Sequence, residues 1–246
     1  MAVSYNFAGP RIVSDGLVLY LDAANPNSYN FSTPLTWRDV SGNRNNGTLI
    51  NGTAVMSTTA GNVISFDGVN DFVQVPYDSY WDTNVFGTAT NFTLTCWVKL
   101  NLFMNWDTLI SKADVSTLGG FYSSNEGPSI WTYAGGFQAV FSSGVAGNPS
   151  GSTVSISYGA SNTQKWYHTC FTGDGTTLRF YIDGTQIGTN LVSSRTYPVT
   201  TSTVGPTLGR RDYMNGQMSN VMLYNRALTP AEITQNFNAT RSRFGI

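Results

Sequence analysis

The sequence predicts an all-β fold, a two-sheet antiparallel jelly-roll sandwich with one short C-terminal helix. Three observations carry this. Short blocks rich in apolar and β-branched residues recur along the chain with turn residues between them, the pattern of a sandwich. Asp-Gly pairs bracket one such block, a strong hairpin signal because both turn positions tolerate positive φ. The clearest helix start is Thr229-Pro230-Ala231-Glu232, a capping box with proline at the first helical position. There the Thr hydroxyl and the Glu carboxylate each satisfy an otherwise orphaned amide.

In chain order, the strand signals begin with Leu17 to Leu21, Val63 to Phe66, Phe72 to Val75 and Phe92 to Leu100. They continue through Thr108 to Ser111, Phe137 to Phe141 and Thr153 to Tyr158. Trp166 to Thr172 and Leu178 to Ile182 are joined by Asp174-Gly175 and followed by Asp183-Gly184, so residues 166 to 187 are predicted to form a meander. Thr203 to Leu208 and Gly216 to Tyr224 complete the β chain, and the helix follows near residues 230 to 239. Asn101 to Thr163 is the least regular stretch, broken by Gly119-Gly120, Gly135-Gly136 and Gly147-Asn-Pro-Ser-Gly151. We find no internal repeat, heptad pattern or low-complexity linker.

Charged residues make up 11% of the chain, far below the roughly 25% of an average domain, so solubility rests on neutral polar groups. A net charge of -1 and a pI near 5.7 provide no basic field. Nucleic acid and anionic membranes are therefore excluded as expected partners. The N-terminus shows no basic region followed by an apolar one, which predicts synthesis and folding in a cytoplasm. Cys96 and Cys170 fall inside predicted strands and are expected to be reduced core residues rather than a disulfide.

Catalytic signals are sparse. Glycoside hydrolysis needs two carboxyl groups facing each other across the sugar, yet the only glutamates are Glu126, in a Ser-Asn-Glu-Gly-Pro turn, and Glu232, in the capping box. His168 is the sole histidine, and no Gly-x-Ser-x-Gly elbow presents a nucleophile to it. Catalytic residues are thus none. Ligand binding is better supported, because long loops on a rigid sandwich build specificity and the irregular stretch concentrates aromatic and amide side chains. The candidates are Trp106, Tyr122, Trp131 and Tyr133 as platforms, with Asn105, Asn125 and Gln138 beside them. A structural calcium is the candidate cofactor: Asp39, Asn43 and Asn45 gather hard oxygen donors in one loop, with Asp22, Asp67 and Asp71 as further carboxylates. Asx-turn chemistry explains the same residues without an ion.

Several segments carry a resemblance. Gly16-Leu-Val-Leu-Tyr-Leu-Asp22, Asp39-Val-Ser-Gly-Asn-Arg-Asn-Asn-Gly47, Ser65-Phe-Asp-Gly-Val-Asn-Asp-Phe-Val73, Trp166-Tyr-His-Thr169 and the run from Asn215 to Ile233 together resemble the laminin G-like, concanavalin A-like lectin and glucanase jelly rolls. The likeness spans about residues 14 to 240, which implies one jelly-roll domain there, an N-terminal arm over 1–13 and a tail over 241–246. It implies a packing role for His168. Glucanase relatives pair glutamates on one strand, and this chain has no such pair, which implies a non-catalytic protein. Relatives that hold calcium often carry an acidic residue in the final strand, where this chain has Ser219-Asn220.

The two ends, Gly9 to Tyr29 and Ile233 to Ile246, look like those of laminin G-like proteins in tailed phages, notably cyanophages. That implies a virion structural protein, such as a capsid decoration, tail fibre or baseplate-associated component. Its expected partners are other virion proteins, further copies of itself in a homo-oligomer, and a host-surface glycan. The alternative is a carbohydrate-binding lectin or adhesin. Tyr5, Phe7, Pro10 and Ile12 at one end and Arg241 to Ile246 at the other carry apolar groups expected to be buried against other subunits.

Overall fold

The first strand sets the rule for the rest. In β1 (Leu17–Asp22) the side chains of Leu19 and Leu21 enter the core, while Tyr20 and Asp22 lie on the opposite face, as a period of two requires. The computed structural model describes residues 10–86, 91–112, 128–142, 153–159, 161–192, 205–210 and 212–246. After β1 come the two-residue β2 (Thr36–Trp37), β3 (Gly47–Ile50), β4 (Ala54–Thr58), β5 (Gly61–Asp67) and β6 (Phe72–Gln74). A short helix, α1 (Ser79–Asn84), is capped by Asp78, whose carboxylate accepts the Tyr80 N–H at 2.8 Å. Then follow β7 (Asn91–Leu100), β8 (Thr108–Ser111), β9 (Pro128–Tyr133), β10 (Gly136–Ser142) and β11 (Thr153–Tyr158). The predicted meander is β12 (Trp166–Asp174), β13 (Thr177–Ile182) and β14 (Thr185–Val192). The chain closes with β15 (Thr207–Leu208), β16 (Asn215–Tyr224), α2 (Pro230–Thr240) and a 3-10 turn over Arg241–Phe244.

Among the described residues these strands form two antiparallel sheets of eight. The first runs β14-β13-β12-β7-β16-β5-β4 with β1 also on β16, and the second runs β11-β10-β9-β8-β15-β6-β3-β2. Register assigns the faces. Phe171 lies opposite Leu94 and Thr169 opposite Cys96 on the core side, whereas His168 opposite Trp97 and Cys170 opposite Thr95 lie on the outer side. A slip of one residue would exchange these sets. Phe171 and Phe180 are buried in the core, each stabilising it by roughly 1.5–3 kcal/mol.

Over its central strands the outer face of the first sheet is also buried. There α2 and residues 12–13 form a second apolar cluster, in which Ile233, Leu228 and Val13 pack on Met222, Tyr224, Cys170 and Tyr181. Polar groups complete the seam: Val13 N–H donates to Asn236 Oδ1 at 2.8 Å, and the Tyr224 hydroxyl donates to the Val13 carbonyl at 2.9 Å. The central strands β7, β12 and β16 are consequently covered on both faces.

Several elements depart from the sequence reading. β2, β3, β4 and β9 had no strand assignment, β14 runs five residues beyond the predicted meander, and α1 is a second helix, although of only six residues. Trp131 and Tyr133, read as part of an irregular loop, stand on β9, whose first residue is Pro128, a position where proline's missing donor does no harm. Of the predicted strand Thr203 to Leu208, Thr207–Leu208 is a strand, and residues 203 and 204 lie outside the described residues.

Candidate ligand-binding site

β9 and β10 form a hairpin whose turn residues, Ala134 at φ 50 and Gly135 at φ 78, both adopt the left-handed region, as a two-residue turn with matching twist demands. Asn105 Oδ1 accepts the Ala134 N–H at 2.9 Å and so holds this turn. The outer face of the hairpin carries Trp131, opposite Gln138, and Tyr133. Trp106 arrives from the segment before β8 with φ 77 and an N–H donated to the Thr132 carbonyl at 2.8 Å. A bulky aromatic there is strained, and such strain persists only where the surroundings over-determine it.

The result is an aromatic cluster. Trp106 meets Trp131 edge-on at 5.8 Å between centroids and Tyr133 at 4.6 Å. Trp131 is 1% exposed and is therefore the support rather than the contact surface, while Tyr133, at 37%, faces solvent. Gln138 Nε2 donates to Ser157 Oγ at 3.1 Å, which fixes its amide beside the cluster. Trp106, Tyr133 and Gln138, three predicted ligand residues, thus lie together over a fourth, the buried Trp131; Tyr122 and Asn125 lie outside the described residues.

Next to Trp106 stands a group the sequence did not single out. Asp107 is fully buried, and neither carboxylate oxygen receives a hydrogen bond. The neighbouring Thr132 hydroxyl donates instead to the Met104 carbonyl, at 2.5 Å. Burial, with the Asp212 charge adding to it, lifts the Asp107 carboxyl from an ordinary 3.8 to about 7, against the weaker pull of the nearby Met104 amide and Thr132 hydroxyl. Nothing local in Asn105-Trp-Asp-Thr108 signals this, because packing from β9 and the residues before β16 creates it.

The predicted calcium residues take part in hydrogen bonds and an ion pair of the fold itself. The Asp22 carboxylate pairs with both terminal nitrogens of Arg243 at 2.9 Å and also accepts the Tyr20 hydroxyl and the Ala24 N–H. Asp39 accepts four hydrogen bonds, from the Tyr20, Ser41 and Asn45 amides and the Ser41 hydroxyl. Asn43 and Asn45 turn their Nδ2 groups onto the Val18 carbonyl at 3.2 and 3.0 Å. A cation at Asp39 would compete with those donors, and the loop takes Asx-turn geometry anchored on β1. Asp67 accepts the Val69 N–H, and Asp71 accepts the Asp67 N–H, within their own turn. Among the described residues no three His, Cys, Asp or Glu side chains cluster as a metal site.

Other titratable groups are tied into the packing of the fold. His168 Nε2 lies 2.9 Å from Thr95 Oγ1 and the ring tilts against Trp97 and Phe237; burial lowers its pKa from 6.5 to about 3, so it stays neutral. Cys96 and Cys170 are free and buried, and burial raises the Cys96 thiol to about 12, which keeps it protonated. Arg226 grips both oxygens of Glu232 at 3.0 and 2.7 Å and holds its pKa down at about 2. Glu126 lies outside the described residues.

At the C-terminal end Phe244 stacks on Trp97 at 4.0 Å and approaches Trp166 at 4.9 Å, so this part of the tail lies on its own sheet, while Ile246 stays 40% exposed. Ile12 packs in the second cluster beside Val13. Tyr5 and Phe7 lie outside the described residues. Among the described residues no helix is long and apolar enough to cross a membrane.

Known proteins of similar structure share this fold at low identity. Domain 4 of AbnA, a GH43 extracellular arabinanase from Geobacillus stearothermophilus solved with arabinotriose, matches with a TM-score of 0.64 and 15% identity over 90% of this chain and 98% of that one. Botulinum neurotoxin type C, which interacts with two ganglioside molecules, matches with a TM-score of 0.69 and 15% identity over 93% of this chain and 52% of the toxin chain. A sialidase from Trypanosoma rangeli matches with a TM-score of 0.62 and 18% identity over 96% of this chain and 35% of its own. The chain thus spans about half the toxin chain and about a third of the sialidase. Binding domains and enzymes both occur among these structures. No curated protein matches the sequence. The family model for the concanavalin A-like lectin/glucanases superfamily matches residues 67–234, more than half of the sequence, and the chain belongs to that superfamily.

Proposed function

We propose that this chain is a non-catalytic glycan-recognition module, and that it serves as a structural component of a virion surface. The observation that carries the first part is the Trp106–Tyr133 pair, 4.6 Å apart on the outer face of the second sheet with Tyr133 open to solvent. Aromatic faces carry negative quadrupole density and so attract the C–H face of a sugar ring, while the nearby Gln138 amide supplies polar selectivity. The arabinotriose complex of the arabinanase domain and the ganglioside interaction of the toxin show that proteins of this fold meet sugars, which favours the reading. The virion role rests on the likeness of the two ends to laminin G-like phage proteins.

The absence of catalysis is supported by the engaged Glu232, the neutral His168 and the sealed position of Asp107. The test is a glycan array with the intact protein and with Tyr133→Ala. We expect the wild type to bind at least one polysaccharide without cleaving it, and the variant to lose about tenfold or more in affinity, about 1.4 kcal/mol, at unchanged melting temperature. An array without a hit, or an unaffected variant, overturns the site. Mass spectrometry of purified particles should recover the chain if the virion role is correct.

A further inference from the structure

A cavity lies away from the aromatic cluster and shares no residue with it. It measures about 300 Å³ and is lined by Asn43 and Asn45 from the loop before β3 and by Asp78, Tyr80 and Trp81 at α1. That volume is at the small end of ligand pockets and suits a single sugar unit. Its walls are fixed. Asn43 and Asn45 are pinned through Nδ2 to carbonyls of β1, which leaves each Oδ1 as an acceptor with no donor from the described residues. Asp78 uses Oδ1 on the Tyr80 amide, leaving Oδ2. The Tyr80 hydroxyl accepts from Asn225 Nδ2 at 3.0 Å, so its own proton is available. Trp81 is fully buried behind Tyr80, with its Nε1–H on the Pro76 carbonyl.

We infer that this cleft binds one neutral, polyhydroxylated unit of a glycan. Three acceptors and one donor match vicinal hydroxyls, each of which donates and accepts. An apolar guest would leave the acceptors without partners, a costly arrangement once water is expelled. An anionic sugar would face the Asp78 carboxylate with no cation among the lining residues; Arg44, between the two asparagines, is exposed and lies outside the wall. The proposal extends the glycan-recognition reading to a separate site, so Tyr133→Ala serves as the background for its test.

In that background, ¹⁵N-labelled protein is titrated with methyl glycosides of glucose, galactose and mannose, then with N-acetylneuraminic acid, glucuronic acid and calcium chloride. The expected result is saturable amide shifts at residues 43–45 and 78–81 with at least one neutral glycoside, and affinity for the acids at least about tenfold weaker. Asp78→Asn preserves the helix cap, since Asn caps as well as Asp, but turns an acceptor into a donor; it should lower affinity about tenfold without lowering the melting temperature. Tyr80→Phe, which removes the donor, should do the same. Equal binding of the acids, the same shifts with calcium chloride alone, no response to any probe, or undiminished affinity in both variants would overturn the proposal. Loss of array binding through Tyr133→Ala with the cleft shifts intact would show that the two sites stand or fall separately.

Discussion

Asp107 and His168 are both sealed from solvent, one with no hydrogen bond to its carboxylate and the other with a single bond to Thr95. Their linkage to pH runs in opposite senses. The Asp107 carboxyl is lifted from 3.8 to about 7, so between those values the folded state holds more protons than the unfolded one, and stability falls as pH rises. His168 is lowered from 6.5 to about 3, so its contribution is present above 6.5 and is lost as pH falls toward 3. At about 1.4 kcal/mol per unit, the Asp107 penalty above pH 7 is bounded at roughly 4 kcal/mol. Asp107→Asn removes the buried charge. Its melting temperature should exceed the wild type's by several degrees at pH 8, and the gap should close by pH 4; a gap independent of pH would refute this account. The sequence exposed the isolation of His168 but not that of Asp107, whose burial depends on partners far along the chain.

At the scale of elements, legibility followed locality. α2 was readable because its cap is contained in four residues: Thr229 Oγ1 accepts the Glu232 N–H, and Glu232 accepts the Thr229 N–H at 2.8 Å. Thr229→Ala removes one half of this box and should cost about 1 kcal/mol, read as a fall in the urea midpoint with an unchanged slope. A loss of all helical structure would mean that the cap, rather than packing of Ile233 on the sheet, holds α2. The missed strands lack that local signature. β4 has no fully buried residue, so its sequence shows no apolar alternation, and β2 is two residues long. The contacts of the tail were not legible, because only β7 and β1 bring Trp97 and Asp22 beneath Phe244 and Arg243.

Across the whole molecule the two sheets differ in what covers them. The first is covered over its central strands by the chain's own ends, whereas the second carries the Tyr133 surface. The types of residue at that surface were legible; their convergence was not, since Trp106 and Tyr133 meet only through a hairpin and a left-handed backbone position. The same long-range packing bears on the metal question. Asp22 is neutralised by Arg243, Asp82 by Lys112, Asp174 by Arg179 and Glu232 by Arg226, while Asp39 is stabilised by four donors of its own fold. These loops need no cation to offset their charge. Chelator-stripped protein in EDTA should therefore melt at the same temperature as protein in millimolar calcium. A structural ion at about a hundred times its Kd would add about 2.7 kcal/mol, or roughly 5–10 °C for a domain of this size. A shift of that magnitude, lost on Asp39→Asn, would restore calcium to the loop and require the Asp39 network to rearrange around it.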